Sequence, residues 1–420
     1  MTSTVKNYAN LMPLLKKRGF INIIQNQDTF LNDYGPAGTL LRHNILKQWW
    51  DTMVNQQSNV FPMENMLTVA LKQANVGQGD VSCIERNNNT YQELLMPDYK
   101  SKYLQVLKLT NYRLPFSITS VRSTLSARTP AMTSEIQSQS DLKEFLLGDC
   151  NRTRLLLQNF ILPSSRNKTF DFWLHLRLSW WKNFSNKPAD FHVSSENSKN
   201  SQTGSNENGT ENGMSPKCIN IVYHFPWGME TIEKVHSLGD QPFQDPSNVE
   251  QEKYKGLVTG KEPSLPHCIV CDTNLETATA ALLVDSYYER RMTSTDSTTR
   301  PSMVLKLHSQ ISPFQIAIAV SNTSTRPSEL RHVCHHLEKD FKRNGVSLFN
   351  ISEQGSTLEA HFKRNDQLGI HYTIIVSDST ISEGLISTRH RDTQIQKSSH
   401  IGTVVEDIKR NLSARLEHHS

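Results

Sequence analysis

The side chains in this chain that could do chemistry fall into a thiol-imidazole group and several basic groups. His267-Cys268-Ile269-Val270-Cys271 has the spacing of half a zinc site. A structural zinc needs four ligands, and no second Cys-x-x-Cys or His-x-x-x-His pair follows it closely. The two cysteines are therefore expected to be structural, and His332, His335 and His336 on a later predicted helix do not complete a ligand set. No metal and no cofactor are expected. The basic residues are more suggestive. From Tyr99 to Ser134 the chain carries Lys100, Lys102, Lys108, Arg113, Arg122 and Arg128 and no acid, and further clusters stand at Lys16-Lys17-Arg18 and at Arg389-His390-Arg391-Asp392. Such cations could neutralise duplex phosphates without reading bases. Aromatic residues interleaved for base stacking are sparse, which favours solvated helix and strand faces as the account of the run. The Arg389 cluster reads either as a solvated edge or as a contact to a protein partner or nucleic acid.

The elements that must position these groups follow from periodicity. Leu41, Ile45 and Trp49, widened by Leu46 and Trp50, mark an amphipathic helix over 39–53. A second helical piece is expected around Tyr99 to Leu109, after a polar loop over 78–89, and a third over 170–184 with Trp173, Leu176, Trp180 and Phe184 on one stripe. Ser194 to Ser215 is rich in Asn, Ser, Gly and Glu and has Met214 as its only large apolar residue, so it is expected to be a disordered loop. After the Ser/Thr/Arg-rich stretch Arg291 to Ser302 the pattern becomes α/β. Phe314, Ile316, Ile318 and Val320 alternate as a strand, and Pro327 opens a helix with Leu330, Val333, Cys334, Leu337 and Phe341 on its apolar face, closed by Gly345. The run Tyr372 to Val376, a strand after Gly384 and a helix from Gly402 to Leu412 complete it.

Composition sets wide bounds. A chain of 420 residues holds two or three domains, and a formal charge of +4 permits a nucleic-acid partner without requiring one. Six scattered cysteines form no disulfide framework, which favours a reducing compartment. No apolar run approaches the ~20 residues of a membrane span, so no membrane partner is expected. The first 27 residues hold Lys6, Lys16, Lys17 and Arg18 and no acid, a balance shared by mitochondrial targeting segments.

Asp33-Tyr34-Gly35-Pro36-Ala37-Gly38 before a helix ending in Trp49-Trp50, with Leu14-Leu15-Lys16-Lys17-Arg18-Gly19-Phe20-Ile21 upstream, resembles the class II aminoacyl-tRNA synthetases of the glycyl type. Asp171-Phe172-Trp173-Leu174, Trp180-Trp181 and Tyr223-His224-Phe225-Pro226-Trp227-Gly228 resemble one offshoot, the accessory subunits of mitochondrial DNA polymerase gamma. The likeness covers 11–191 and 217–412. It implies an α+β class II synthetase-like core, an antiparallel sheet with helices, over residues 1–300, and an anticodon-binding-like α/β domain over 301–420. Within the core, 63–112 is a variable helical and loop region and 192–217 a disordered insertion. Synthetases of this class hold ATP with two arginines, whose planar guanidinium matches phosphate. Leu114-Pro115-Phe116 leads to Leu125-Ser126-Ala127-Arg128, which puts Ser126 at the first arginine position, and the third motif, Leu275 to Leu282, puts Thr277 at the second. Arg122 and Arg128 stand nearby as spare candidates.

The resemblance thus implies a non-catalytic processivity subunit in the mitochondrial matrix and nucleoid. Its partners would be the catalytic subunit of mitochondrial DNA polymerase and double-stranded or primer-template DNA. Candidate DNA contacts are Lys16, Lys17, Arg18, Lys100, Lys102 and Lys108, and candidate polymerase contacts are Arg389, His390 and Arg391. The shortness of 63–112 weakens the case for a homodimer built there, as relatives build theirs through a helical insertion. The alternatives are a glycyl-tRNA synthetase-like enzyme or tRNA-binding regulator, and a scaffold that binds no nucleic acid.

Overall fold

The computed structural model describes residues 8–26, 29–64, 98–124, 143, 146–147, 152–195, 217–244, 251–258, 261–290, 302–321, 324–350 and 357–413. The polar loop at 78–89, Arg128, Ser126 and most of the expected insertion lie outside them.

Helix α1 (Leu11–Lys17) buries Leu11, Leu14 and Leu15, and the hairpin β1 (Ile21–Asn26) and β2 (Thr29–Tyr34) leads to α2 (Pro36–Trp50). The expected helix over 39–53 starts earlier, because Pro36 occupies the first turn, where a missing N–H costs nothing. It ends in a π-helical turn, Asp51–Asn55. Leu41, Ile45 and Trp49 are buried as the stripe predicts. The glycines of the entering motif serve close packing. A Cβ at Gly38 would stand 1.9 Å from the Phe20 carbonyl oxygen, and one at Gly35 2.4 Å from that of Gly19, so backbone meets backbone with no room to give.

The core is a seven-stranded sheet built from β3 (Val60–Pro62), β4 (Phe116–Thr124), β5 (Arg152–Ile161), β6 (Phe191–Ser195), β7 (Lys217–Phe225), β8 (Gly228–Gly239) and, after the short hairpin β9 (Gly256–Val258) and β10 (Lys261–Ser264), β11 (His267–Asn274). The strands run in the order β3-β4-β5-β11-β8-β7-β6. All pairs are antiparallel except β3 with β4. Both faces are covered over part of their extent. On one face, α1, α2, α4 (Arg166–Phe184) and α5 (Leu275–Ser286) pack on Leu155, Leu157, Ile269 and Cys271. On the other, α3 (Tyr99–Leu109) and the loop through Phe243 and Tyr254 pack on Leu156, Phe160, Cys268 and Val270. Tyr103 is central to that second cluster, stacked on Phe116 and tilted against Phe243. The helix around Tyr99 to Leu109 is where periodicity predicts it.

A strand's side chains alternate between faces, so residues three apart point to opposite sides. Cys268 and Cys271 therefore fall in different clusters, both thiols pushed upward in pKa by burial, and they cannot share an ion. Among the described residues no group of three His, Cys, Asp or Glu could hold a metal. Helix α4 carries the expected apolar stripe and a feature that periodicity hides. Arg177, fully buried, bonds through Nε to Glu233 Oε1 at 2.7 Å, and Trp181 Nε1 donates to Glu233 Oε2 at 2.7 Å. Strands β6 and β7 pair from Phe191↔Tyr223 to Ser195↔Ile219, so residues 192–195 and 217, expected in the insertion, are sheet. Their alternating, partly apolar pattern (Phe191, Val193; Ile219, Ile221) closes a hairpin at the sheet edge.

Beyond the core, β12 (Tyr287–Arg290) pairs antiparallel with β13 (Ser302–Leu305), spanning the expected boundary at residue 300. The C-terminal unit holds β14 (Ile316–Val320), α6 (Pro327–Arg343), β15 (Leu348–Phe349), α7 (Leu358–Gln367), β16 (Tyr372–Val376), α8 (Asp378–Glu383), β17 (Leu385–His390), β18 (Gln396–His400) and α9 (Val404–Ser413). Its sheet runs β15-β14-β16-β17-β18, parallel across β15-β14-β16 and antiparallel beyond. Leu330, Cys334, Leu337 and Phe341 of α6 pack with Ile408 and Leu412 of α9 on Ile316, Ile318 and Ile374. The two units share a core, since Leu307, Ile311, Ala317, Leu368 and Ile370 join the same cluster as α2 and α5. The described residues contain no helix long and apolar enough to cross a membrane.

Candidate nucleic-acid and partner surfaces

The basic residues singled out by sequence separate into three environments. Lys16 and Lys17 are exposed at the end of α1, whereas Arg18 turns inward and donates from Nε and Nη2 to Gln367 Oε1 at 2.8 and 2.6 Å. That half-buried guanidinium links the core to the C-terminal unit. On α3, Lys108 is exposed, and Lys100 lies half-buried with its ammonium 5.6 Å from the Tyr254 ring centroid. Lys102 is also half-buried, and burial lowers its pKa against the opposing pull of Asp98. Arg113 follows on the exposed turn after α3, while Arg122 lies half-buried on β4, opposite Arg154. Since α1 packs on one face of the large sheet and α3 on the other, the structure does not bring the Lys16 cluster and the α3 lysines together.

The third group is internal. Arg389 is 6 % exposed and donates two bonds to Asp366, at 2.9 and 3.1 Å. Arg391 is 2 % exposed, bonded to the carbonyls of Leu307 and Gly369 and to Asp392. Neither guanidinium is presented to a partner, a correction to their expected role as polymerase contacts. His390, half-buried between them in sequence, faces Thr393 and the Tyr372 ring. Alternation along β17 and the turn after it brings the two arginines to the junction, where Arg290 of β12 meets the same carboxylate at 2.9 Å. Nothing in the local pattern marks Asp366 and Arg290 as partners, because they are 76 residues apart.

The face that would hold a nucleotide in a synthetase lies partly within the described residues. Asn274 caps α5, accepting from the backbone N–H of Thr277 at 2.9 Å and from its hydroxyl at 3.1 Å. Thr277 is thereby tied to its own helix end and offers no charge. Glu276 accepts from Arg42 Nη2 at 2.8 Å and from the Thr153 N–H at 2.6 Å. Arg154 of β5, paired in register with Arg122 of β4, is neutralised by a two-pronged pair with Asp272.

A seven-stranded, largely antiparallel sheet backed by helices, followed by a five-stranded mixed sheet with its own helices, is the class II synthetase architecture with an anticodon-binding-type domain. The family model described as anticodon binding domain matches residues 315–411. A crystal structure of prolyl-tRNA synthetase from Cryptosporidium parvum, complexed with L-proline and AMP, shares the fold with a TM-score of 0.59 at 12% identity, covering 100% of this chain and 78% of that one. Within this class, the chain is related to the DNA polymerase subunit gamma-2 proteins. That of Bos taurus is 26% identical over 440 residues, covering 96% of this chain and 85% of the relative, and the mitochondrial one of Xenopus laevis 24% over 417 residues, covering 91% and 82%. A glycine–tRNA ligase of Borrelia hermsii is 21% identical over 452 residues, covering 92% and 93%.

Proposed function

We propose that this chain is a non-catalytic accessory subunit of mitochondrial DNA polymerase gamma, acting in the matrix at the nucleoid. It binds the catalytic subunit and duplex or primer-template DNA and raises processivity. The observation that carries this reading is similarity to the gamma-2 subunits along nearly the whole chain, both structural units included. The absence of a charged side chain at Thr277 supports a binding role over catalysis. Phosphate attraction on the core falls to the exposed Lys108 and Arg113, with half-buried Lys100 at the other end of α3, and separately to Lys16 and Lys17. The test is primer extension by the catalytic subunit with and without this chain. Longer products per binding event are expected, and unchanged product length would sink the proposal.

The second reading, a glycyl-tRNA synthetase-like enzyme, draws on the ligase similarity. Each missing arginine–phosphate bond should cost about 1.5–3 kcal/mol of ATP affinity. Glycine-dependent pyrophosphate exchange is therefore expected to stay at background, and exchange above it would favour the enzyme.

A substitution series tests the DNA surface. With Lys100, Lys102 and Lys108 all replaced by alanine, duplex affinity should fall, and the log-log salt slope should flatten by about 0.9 for each phosphate that is no longer neutralised. Lys108 alone should account for most of the change, since the other two ammonium groups are partly withdrawn from solvent. Equal effects from all three lysines would contradict this ranking.

A further inference from the structure

The turn after α3 raises an apolar knob that the phosphate contacts do not use. Leu109, Tyr112 and Leu257 are 68 %, 45 % and 42 % exposed. Leu109 ends α3 three residues before Tyr112, and Leu257 lies against Tyr112: the Leu257 N–H donates to the Tyr112 carbonyl at 2.6 Å, and the Leu114 N–H returns to the Leu257 carbonyl at 3.1 Å. The backbone that lifts Tyr112 is held in an uncommon form. Asn111 and Tyr112 have φ of 53° and 60°, the left-handed region that a bulky side chain seldom adopts, and the Tyr112 N–H bonds the Leu107 carbonyl at 2.7 Å. Such conformations persist where the surrounding structure enforces them, and they gather at functional sites. Lys108 and Arg113, both exposed, flank the ring in sequence, and neither is engaged in an ion pair among the described residues. Of the acids that flank Leu257 in sequence, Glu252 and Glu262, the first is already paired with Lys255.

We propose that this knob is a stacking platform for an unpaired base of single-stranded DNA, with Tyr112 under the base and Lys108 and Arg113 on the adjoining phosphates. The inference rests on the DNA-binding reading above and adds the strand form that this part of the surface takes. Size and charge select the occupant. A stable protein interface buries about 800 Å² on each partner, more than three side chains supply. One or two nucleobases match the area, and every base has a π-face that stacks on an aromatic ring whatever the sequence. Two exposed cations that flank Tyr112 in sequence, neither in an ion pair among the described residues, fit a phosphodiester strand and disfavour an uncharged apolar protein surface.

Equilibrium binding of the full chain to a labelled oligothymidylate, to a blunt duplex and to a primer-template with a single-stranded overhang tests this. Tyr112→Ala should weaken oligothymidylate and overhang binding ~10-fold, leave the blunt duplex unchanged, and be rescued by Tyr112→Trp. Tyr112→Gly, which removes the ring but suits the left-handed backbone, should behave like the alanine variant and so separates ring loss from misfolding. Unchanged oligothymidylate affinity in both variants overturns the proposal, as does equal loss on blunt duplex. If polymerase stimulation falls while single-strand binding is intact, the knob meets the catalytic subunit and the stacking assignment is wrong. If the unaltered chain binds no DNA and stimulates no polymerase, the failure lies instead with the accessory-subunit reading.

Discussion

Replacing Glu233 with alanine is expected to destabilise the core by about 3–5 kcal/mol, the usual cost of removing one partner of a buried ion pair. Both side chains of the Arg177–Glu233 pair are fully buried, and the carboxylate also receives the Trp181 indole N–H. The variant leaves a guanidinium with no counter-charge between α4 and β8. The terminal nitrogens of Arg177 have no hydrogen-bond partner among the described residues even with Glu233 in place, so relaxation around them offers little compensation. The Trp180 ring, its centroid 4.6 Å from the guanidinium carbon, stays as a favourable contact. Urea unfolding followed by tryptophan fluorescence measures the loss. The double variant Arg177→Met/Glu233→Leu should recover most of it, because apolar replacement of a whole buried pair is often neutral or better. A double variant as unstable as the single one would show that packing shape, and not the stranded charge, sets the cost.

Asp366→Ala should have an effect of similar size, about 3–5 kcal/mol, at a different place. Asp366 is 3 % exposed and holds Arg389 of the C-terminal sheet and Arg290 of the core hairpin together. Without it, two guanidiniums face each other across the junction between the units. The C-terminal unit should unfold at lower denaturant, ahead of the core, and the single transition should split in two. Asp366→Asn should split it less, since the amide oxygen still accepts one bond. Coincident transitions in Asp366→Ala would mean that the shared apolar cluster alone locks the units together. If polymerase stimulation depends on both units being held in one arrangement, it should drop in parallel with junction stability.

Periodicity located α2, α4 and α6 because burial follows the helical repeat, and missed the short α1, α7 and α8. The stripes Leu41–Ile45–Trp49 and Leu330–Cys334–Leu337–Phe341 are buried as predicted, and α3 spans the residues expected of it. Turn chemistry marked Pro327 as a helix opener, whereas Pro36 opens α2 ahead of the start expected at residue 39. The order of elements over the last part of the chain likewise emerged as an anticodon-binding-type unit. The C-terminal strands that escaped notice, β15 and β18, are short or polar edges with little apolar signal.

The sequence determined the structural character of Cys268 and Cys271 and the uncharged side chain at Thr277 through residue type and local spacing, and it indicated the class of fold through its resemblance to the class II synthetases. Only the tertiary structure decided which cations are free. Arg18, Arg389 and Arg391 look the same as Lys17 and Lys108 in a charge count, yet Gln367, Asp366 and the Leu307 and Gly369 carbonyls claim them through contacts 349, 23, 84 and 22 residues away along the chain. It also decided that the α1 and α3 clusters lie on opposite faces of one sheet, and that Tyr112 is lifted outward on a left-handed turn. A charge becomes a surface or a strut according to what the fold sets beside it, and that partner is fixed by long-range packing, which leaves no local periodicity to read.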